Sequence, residues 1–250
     1  MGVEMGKNEK IQEKINDFLK ENKIKTTGGT IESEEQLSKI LNNLAMSDLK
    51  KGKAEKALYF ANNALEFDPK NDYSLFVKGL IYRNTKKFNE AIESFKEYNS
   101  RSNDKVSLIY IGLCYAELND IENALGFFNE AEKELSEEEK NENSSLLCTA
   151  YECMGNIYMY KENIMEFKEE DKLSFNYKLA VKYYKMSLKI NRNNHMLLNR
   201  LASCYYHFED ASKALYCYQE AADVAEENTA YLEAIEEMKG MGIIAETVEF

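Results

Sequence analysis

This sequence predicts an all-helical fold of about five stacked two-helix units, and three observations carry the prediction. A short pattern recurs along the chain, Pro69 is the only proline in 250 residues, and 44% of the residues are apolar. Almost nothing therefore interrupts helices, and enough apolar surface exists for a continuous interior. The pattern reads Leu75-x-x-Lys78-Gly79-x-x-Tyr82 followed by Ala91-x-x-x-Phe95. It returns as Leu108-x-x-Ile111-Gly112-x-x-Tyr115 with Ala124-x-x-x-Phe128, and as Tyr151-x-x-Met154-Gly155-x-x-Tyr158 with Ala180-x-x-x-Tyr184. Leu198-x-x-Leu201-Ala202-x-x-Tyr205 with Ala214-x-x-x-Tyr218 closes the series. Leu41-x-x-Leu44-Ala45-x-x-Asp48 with Ala57-x-x-x-Ala61 opens it in weaker form. Units that touch only their neighbours lengthen without one growing core, so length does not fix a domain count here.

The elements follow in order. Residues 1–32 read as an amphipathic helix over 8–23, with Ile11, Ile15, Phe18 and Leu19 on one stripe, and a linker containing Gly28 and Gly29. Ser33 with Gln36 reads as a capping box that starts the repeat region, 33–225. Paired helices are expected over 34–50 with 53–67, 72–85 with 88–100, and 104–118 with 121–135. Two further pairs are expected over 137–162 with 174–190 and 194–208 with 210–225. Residues 226–250 read as a capping helix over 228–239 and a short tail. Two spacings depart from the rule. Gly112 to Gly155 spans 43 residues, with Ser136 and Glu139 suggesting two extra turns on the following helix. Tyr158 to Ala180 spans 22 residues where other units have 9, so an insertion near 162–174 either lengthens both helices or bulges from their turn.

Gly79, Gly112 and Gly155, with Ala45 and Ala202, remove bulk where paired helices cross, and the aromatics Phe95, Phe128, Tyr184 and Tyr218 fill the space beside them. A glycine inside a helix costs about 0.5–1 kcal/mol against alanine, so close packing has to offset it. The combination resembles the tetratricopeptide repeat (TPR), a helix–turn–helix unit of about 34 residues. The resemblance implies a right-handed superhelical solenoid whose first helices line a concave groove for a protein or peptide, and a scaffold in place of an enzyme. The expected groove residues are Tyr73, Phe76, Val77, Leu80, Ile109, Tyr110 and Leu113 at an apolar centre. Cys153, Asn156, Tyr160, Asn199 and Arg200 continue it with more polar character. The lysine and asparagine set with which some relatives clamp an acidic chaperone tail is missing from these positions. An apolar groove instead suits an amphipathic helix. Residues 8–23 are one such segment, expected either to plug the groove, in this copy or another, or to cap the first repeat.

Other chemistry is not expected. The net charge is −12, and residues 209–250 carry eleven acidic groups against two lysines. No basic face suits a phosphate backbone, so nucleic acid is excluded as a direct partner. The two histidines, His195 and His207, lie twelve apart, and the five cysteines form no CxxC pair, so neither metal nor cofactor is expected. No nucleotide-binding or zinc-protease motif occurs. With no signal-like start and no long apolar run, the expectation is a cytoplasmic protein away from membranes. A peptide-gated regulatory subunit and a non-catalytic enzyme subunit are the alternatives.

Overall fold

A computed structural model describes residues 7–25, 30–164, 170–207, 210–225 and 228–250, with side chains at all of these except 7, 8, 160–164 and 170–175. Thirteen helices and no strand occur among the described residues. They form two compact units, Met1–Leu118 and Asn119–Phe250.

The first unit holds α1 (Lys7–Glu21), α2 (Glu34–Lys50), α3 (Ala54–Phe67), α4 (Tyr73–Asn84), α5 (Phe88–Ser102) and α6 (Val106–Glu117). Helices α2–α3 and α4–α5 are antiparallel hairpins closed by the same turn. Gly52 and Lys86 each take the left-handed conformation, with φ of 73° and 59°. The next amide, Lys53 or Lys87, donates to the carbonyl five residues back, on Asp48 or Tyr82. That bond satisfies a carbonyl the helix end leaves free. At the start of α2, Ser33 Oγ accepts from the Gln36 amide at 3.2 Å. The Gln36 side chain reaches back one residue further than a capping box requires, to the Glu32 amide at 2.9 Å.

Successive hairpins are fastened by polar side chains that the apolar pattern does not announce. Ser38 Oγ donates to the Ala64 carbonyl at 2.7 Å and accepts from Asn71 Nδ2 at 2.8 Å. Asn42 is buried and donates to Ser74 Oγ at 2.9 Å. Helix α1 packs on the first hairpin. Ile15 is fully buried in one cluster with Leu37, Leu41, Phe60 and Phe67. The Phe18 ring meets Phe67 edge-on at 5.1 Å, and Gln12 Nε2 donates to the Ile31 carbonyl at 2.9 Å. The apolar stripe of residues 8–23 is thus engaged as a cap on its own first hairpin.

The second unit holds α7 (Ile121–Glu134), α8 (Glu137–Glu142), α9 (Ser144–Ile164), α10 (Glu170–Ile190), α11 (His195–His207), α12 (Ala211–Val224) and α13 (Thr229–Gly240). The expected helix over 137–162 is instead two. Ser136 and Glu139 do form a capping box, but the helix they start is the short α8. Asn143 ends it, its Nδ2 donating to the Glu139 carbonyl at 2.8 Å, and α9 begins one residue later. Of the two readings of the insertion near 162–174, the described part favours lengthening: α9 and α10 are each 21 residues long. Residues 165–169, the middle of that expectation, lie outside the described residues.

The small-residue argument holds at atomic detail. A Cβ on Gly79 would lie 2.5 Å from Phe95 Cε1, and one on Gly155 would overlap the Tyr184 ring. Both aromatics are buried. The glycine is the space the ring occupies. Helix α13 closes the last hairpin with Tyr231, Ile235 and Met238 buried, and His195 Nδ1 lies 3.0 Å from the Tyr231 hydroxyl.

Candidate partner-binding surface

In the first unit, Tyr73, Phe76, Leu80 and Arg83 follow one another at steps of three and four residues, so they share one face of α4. Phe95 supports this face from below. Its buried ring stacks on Tyr110 of α6 at 5.2 Å and lies 5.6 Å from Phe76. Phe76 also meets Tyr110 edge-on at 5.3 Å and Tyr98 of α5 at 5.2 Å. Tyr73 then stacks on Phe76 at 5.8 Å while 44% exposed. The Arg83 guanidinium lies 5.9 Å from the Tyr110 ring centre. Burial raises the pKa of the Tyr110 hydroxyl above the ordinary tyrosine value, with Arg83 pulling the other way. The result is a continuous aromatic column from the Gly79 contact to the surface, rigid because each ring is braced by the next.

Three residues expected in the groove are not on this surface. Val77 and Ile109 are fully buried, and Leu113 nearly so. On a helix a one-residue offset turns a side chain by about 100°, enough to move it from surface to core. Phe76, Leu80 and Tyr110 remain half-buried and Tyr73 exposed. Arg83 was missed, although it continues the same three-and-four spacing.

In the second unit the expected polar residues hold one another. Arg200 Nη1 donates to Glu152 Oε1 and to Asn156 Oδ1, both at 2.9 Å. Asn156 Oδ1 also accepts from the buried Tyr184 hydroxyl at 2.9 Å. Cys153 and Asn199 are half-buried, and the backbone carbonyl of Asn199 accepts from Ser203 Oγ. The Tyr160 side chain lies outside the described residues. Nearby, Ser144, Cys148, Thr149, Glu152 and Asn194 line a polar cleft of about 390 Å³. No sequence signal pairs Glu152 with Arg200, because they are 48 residues apart.

Among the described residues no three His, Cys, Asp or Glu side chains converge as metal ligands, and no helix is long and apolar enough to cross a membrane. None of the five cysteines is in a disulfide. Burial pushes Cys114 up to about 11 and Cys204 and Cys217 up to about 12, which suppresses the reactive thiolate. Iodoacetamide at pH 8 is therefore expected to label half-buried Cys148 and Cys153 in the native protein. The other three should label only after unfolding, as mass spectrometry of the labelled peptides will read.

The family model for anaphase-promoting complex, cyclosome, subunit 3 matches residues 50–131. A TPR repeat-containing protein of Methanocaldococcus jannaschii is 30% identical over 122 residues, 49% of this chain and 36% of that protein. The chain spans about a third of that relative's length. Solved structures agree in fold. PilF of Pseudomonas aeruginosa superposes with a TM-score of 0.63 at 18% identity, over 84% of this chain and 86% of that one. YrrB, a TPR protein with an unusual peptide-binding site, gives 0.57 at 16% identity over 89% and 97%. The hairpins share the tetratricopeptide-repeat fold of these structures. MamA of Desulfovibrio magneticus shares the TPR fold at a TM-score of 0.58 and 13% identity, over 76% of this chain and 96% of that one. Gly79–Phe95 and Gly155–Tyr184 are the contacts that give this likeness its packing basis in the chain.

Proposed function

We propose that this chain is a non-enzymatic protein-interaction module and that a partner docks on the α4 face built by Tyr73, Phe76, Leu80 and Arg83. The observation that carries this reading is Tyr73, an exposed ring stacked on a braced aromatic column. Anchors already held in place lose little freedom on binding, and aromatic and arginine side chains dominate interface energies. The occupant that fits is an apolar or amphipathic segment, with Arg83 at one end of the stripe for a carboxylate or a ring. The relatives add support at the level of fold and, for YrrB, of peptide binding. Helix α1 is not the occupant, since its stripe is engaged on α2 and α3. Self-association through residues 8–23 is disfavoured for the same reason. A cytoplasmic setting belongs to the same proposal, since five cysteines outside any disulfide suit a reducing compartment.

The experiment is capture from an extract of the source cells, with a photo-crosslinking residue in place of Tyr73 and, as control, in place of exposed Asn62 on α3. The Tyr73 position is expected to yield a specific adduct. Tyr73→Glu, introduced beside a crosslinker at the half-buried position of Leu80, is expected to reduce the adduct at least tenfold with the circular dichroism spectrum unchanged.

A further inference from the structure

Sequence reading makes residues 243–250 a short tail, and in the structure they dock. Gly242, at φ 79°, turns the chain back from α13. The segment then lies without helix or strand against the last hairpin. The Glu246 amide donates to the Ser212 carbonyl at 3.1 Å, the tail's only backbone hydrogen bond beyond Ile243 among the described residues. Val248 is buried in the cluster that contains Leu197, Cys217 and Ala221, and Phe250 packs at its edge. Residues 243, 245, 248 and 250 turn inward, while Ile244 (81% exposed), Glu246, Thr247 and Glu249 face solvent. That near-alternation is how an extended segment divides its two faces.

Both ends of the docking strip are cationic, although the chain carries a net charge of −12. Lys213 Nζ lies 3.8 Å from Glu246 Oε1. At the far end the Arg192 guanidinium sits 5.3 Å from the Phe250 ring centre, held there by Glu220 Oε2 at 2.9 Å. Hence the strip is an apolar pocket with one cation at each end, each also paired with a carboxylate of its own chain (Lys213 with Asp210 at 2.7 Å, Arg192 with Glu220 at 2.9 Å), and the seated Glu246 and Phe250 show the acidic, apolar, extended peptide that fits between them.

We propose that this face of α12, bracketed by Lys213 and Arg192, is a receptor for extended segments that alternate acidic and apolar residues. Residues 243–250 occupy it within their own chain, and a protein partner carrying such a segment displaces them. The occupancy is weak in contacts but favoured by tethering, which supplies an effective concentration near millimolar for a short linker. A partner with the same alternation and further contacts outside the strip overcomes that advantage. The site lies wholly in the second unit and is independent of the aromatic surface on α4.

The test titrates a fluorescein-labelled peptide of residues 243–250 against the full chain. In the Val248→Asp/Phe250→Ala double variant the chain's own tail no longer competes, so the peptide is expected to bind at least tenfold more tightly than to the wild type. Adding Arg192→Ala is expected to lose about tenfold of that affinity, and a peptide carrying aspartate at the valine position is expected not to bind. Equal affinity for wild type and double variant, or no binding to a double variant with an unchanged circular dichroism spectrum, overturns the proposal. Should the double variant misfold, hydrogen exchange on the wild type decides: millimolar unlabelled peptide must accelerate exchange of the Glu246 amide, and failure to do so overturns it. A concentration-dependent dimer that disappears in the double variant places a second copy's tail in the strip and overturns the intramolecular assignment.

Discussion

Replacing Tyr184 by alanine is expected to lower the stability of the α9–α12 region by about 3–5 kcal/mol, the range for deleting a buried aromatic. The ring occupies the space that Gly155 leaves open on α9. Two effects are superposed at this site. The hydroxyl donates to Asn156 at 2.9 Å, while the ring fills the crossing of α9 and α10. Tyr184→Phe separates them. Losing one hydrogen bond costs about 1 kcal/mol, and Asn156 keeps its bond from Arg200. Packing therefore outweighs the hydrogen bond by severalfold. Urea titration followed by circular dichroism measures both variants, and equal losses would mean that the polar network, not the ring, holds the hairpin.

Ile15→Asp is the second large effect. It places a carboxylate in a fully buried position on α1, in the apolar cluster of Leu37, Leu41 and Phe67. A buried unpaired charge costs several kcal/mol, so α1 is expected to leave its hairpin instead of keeping the charge inside. The loss is then capped by what docking contributes. Full burial of Ile15 and half-burial of Ile11, Phe18 and Leu19, at about 1.5–3 kcal/mol per fully buried side chain, put that contribution on the order of 4–7 kcal/mol. Lys14 is the comparison: its exposed pair with Glu34, at 3.4 Å, is of the kind worth about 0–1 kcal/mol. Hydrogen exchange should show the α1 amides losing protection in Ile15→Asp while Lys14→Ala stays near wild type. Retained protection in Ile15→Asp contradicts the cap.

The parts of this fold that sequence made legible are those set by local periodicity or by volume. Gly79 and Gly155 marked the two crossings, and Phe95 and Tyr184 were named as their fillers. The break at Asn143 was not legible, because Ser136 and Glu139 signal where a helix starts and nothing in their spacing says how soon it stops. Surface and core could not be separated on the inner helices. Val77 and Ile109 differ from Phe76 and Tyr110 by one residue each, and only the neighbouring hairpin decides which of them is covered. Long-range polar pairs such as Asn42–Ser74 and Glu152–Arg200 leave no local trace at all. Neither does the docking of residues 243–250, whose alternation is too short to stand out from loop sequence.

We propose that partners meet this chain on the aromatic face of α4. Site-specific photo-crosslinking from position 73 tests it most directly, with position 62 as the reference. The account predicts a partner adduct from position 73 at least tenfold above position 62, and its loss when Tyr73→Glu is introduced beside a crosslinker at position 80. Equal yields from positions 73 and 62, or an adduct at position 80 that survives Tyr73→Glu, would contradict it.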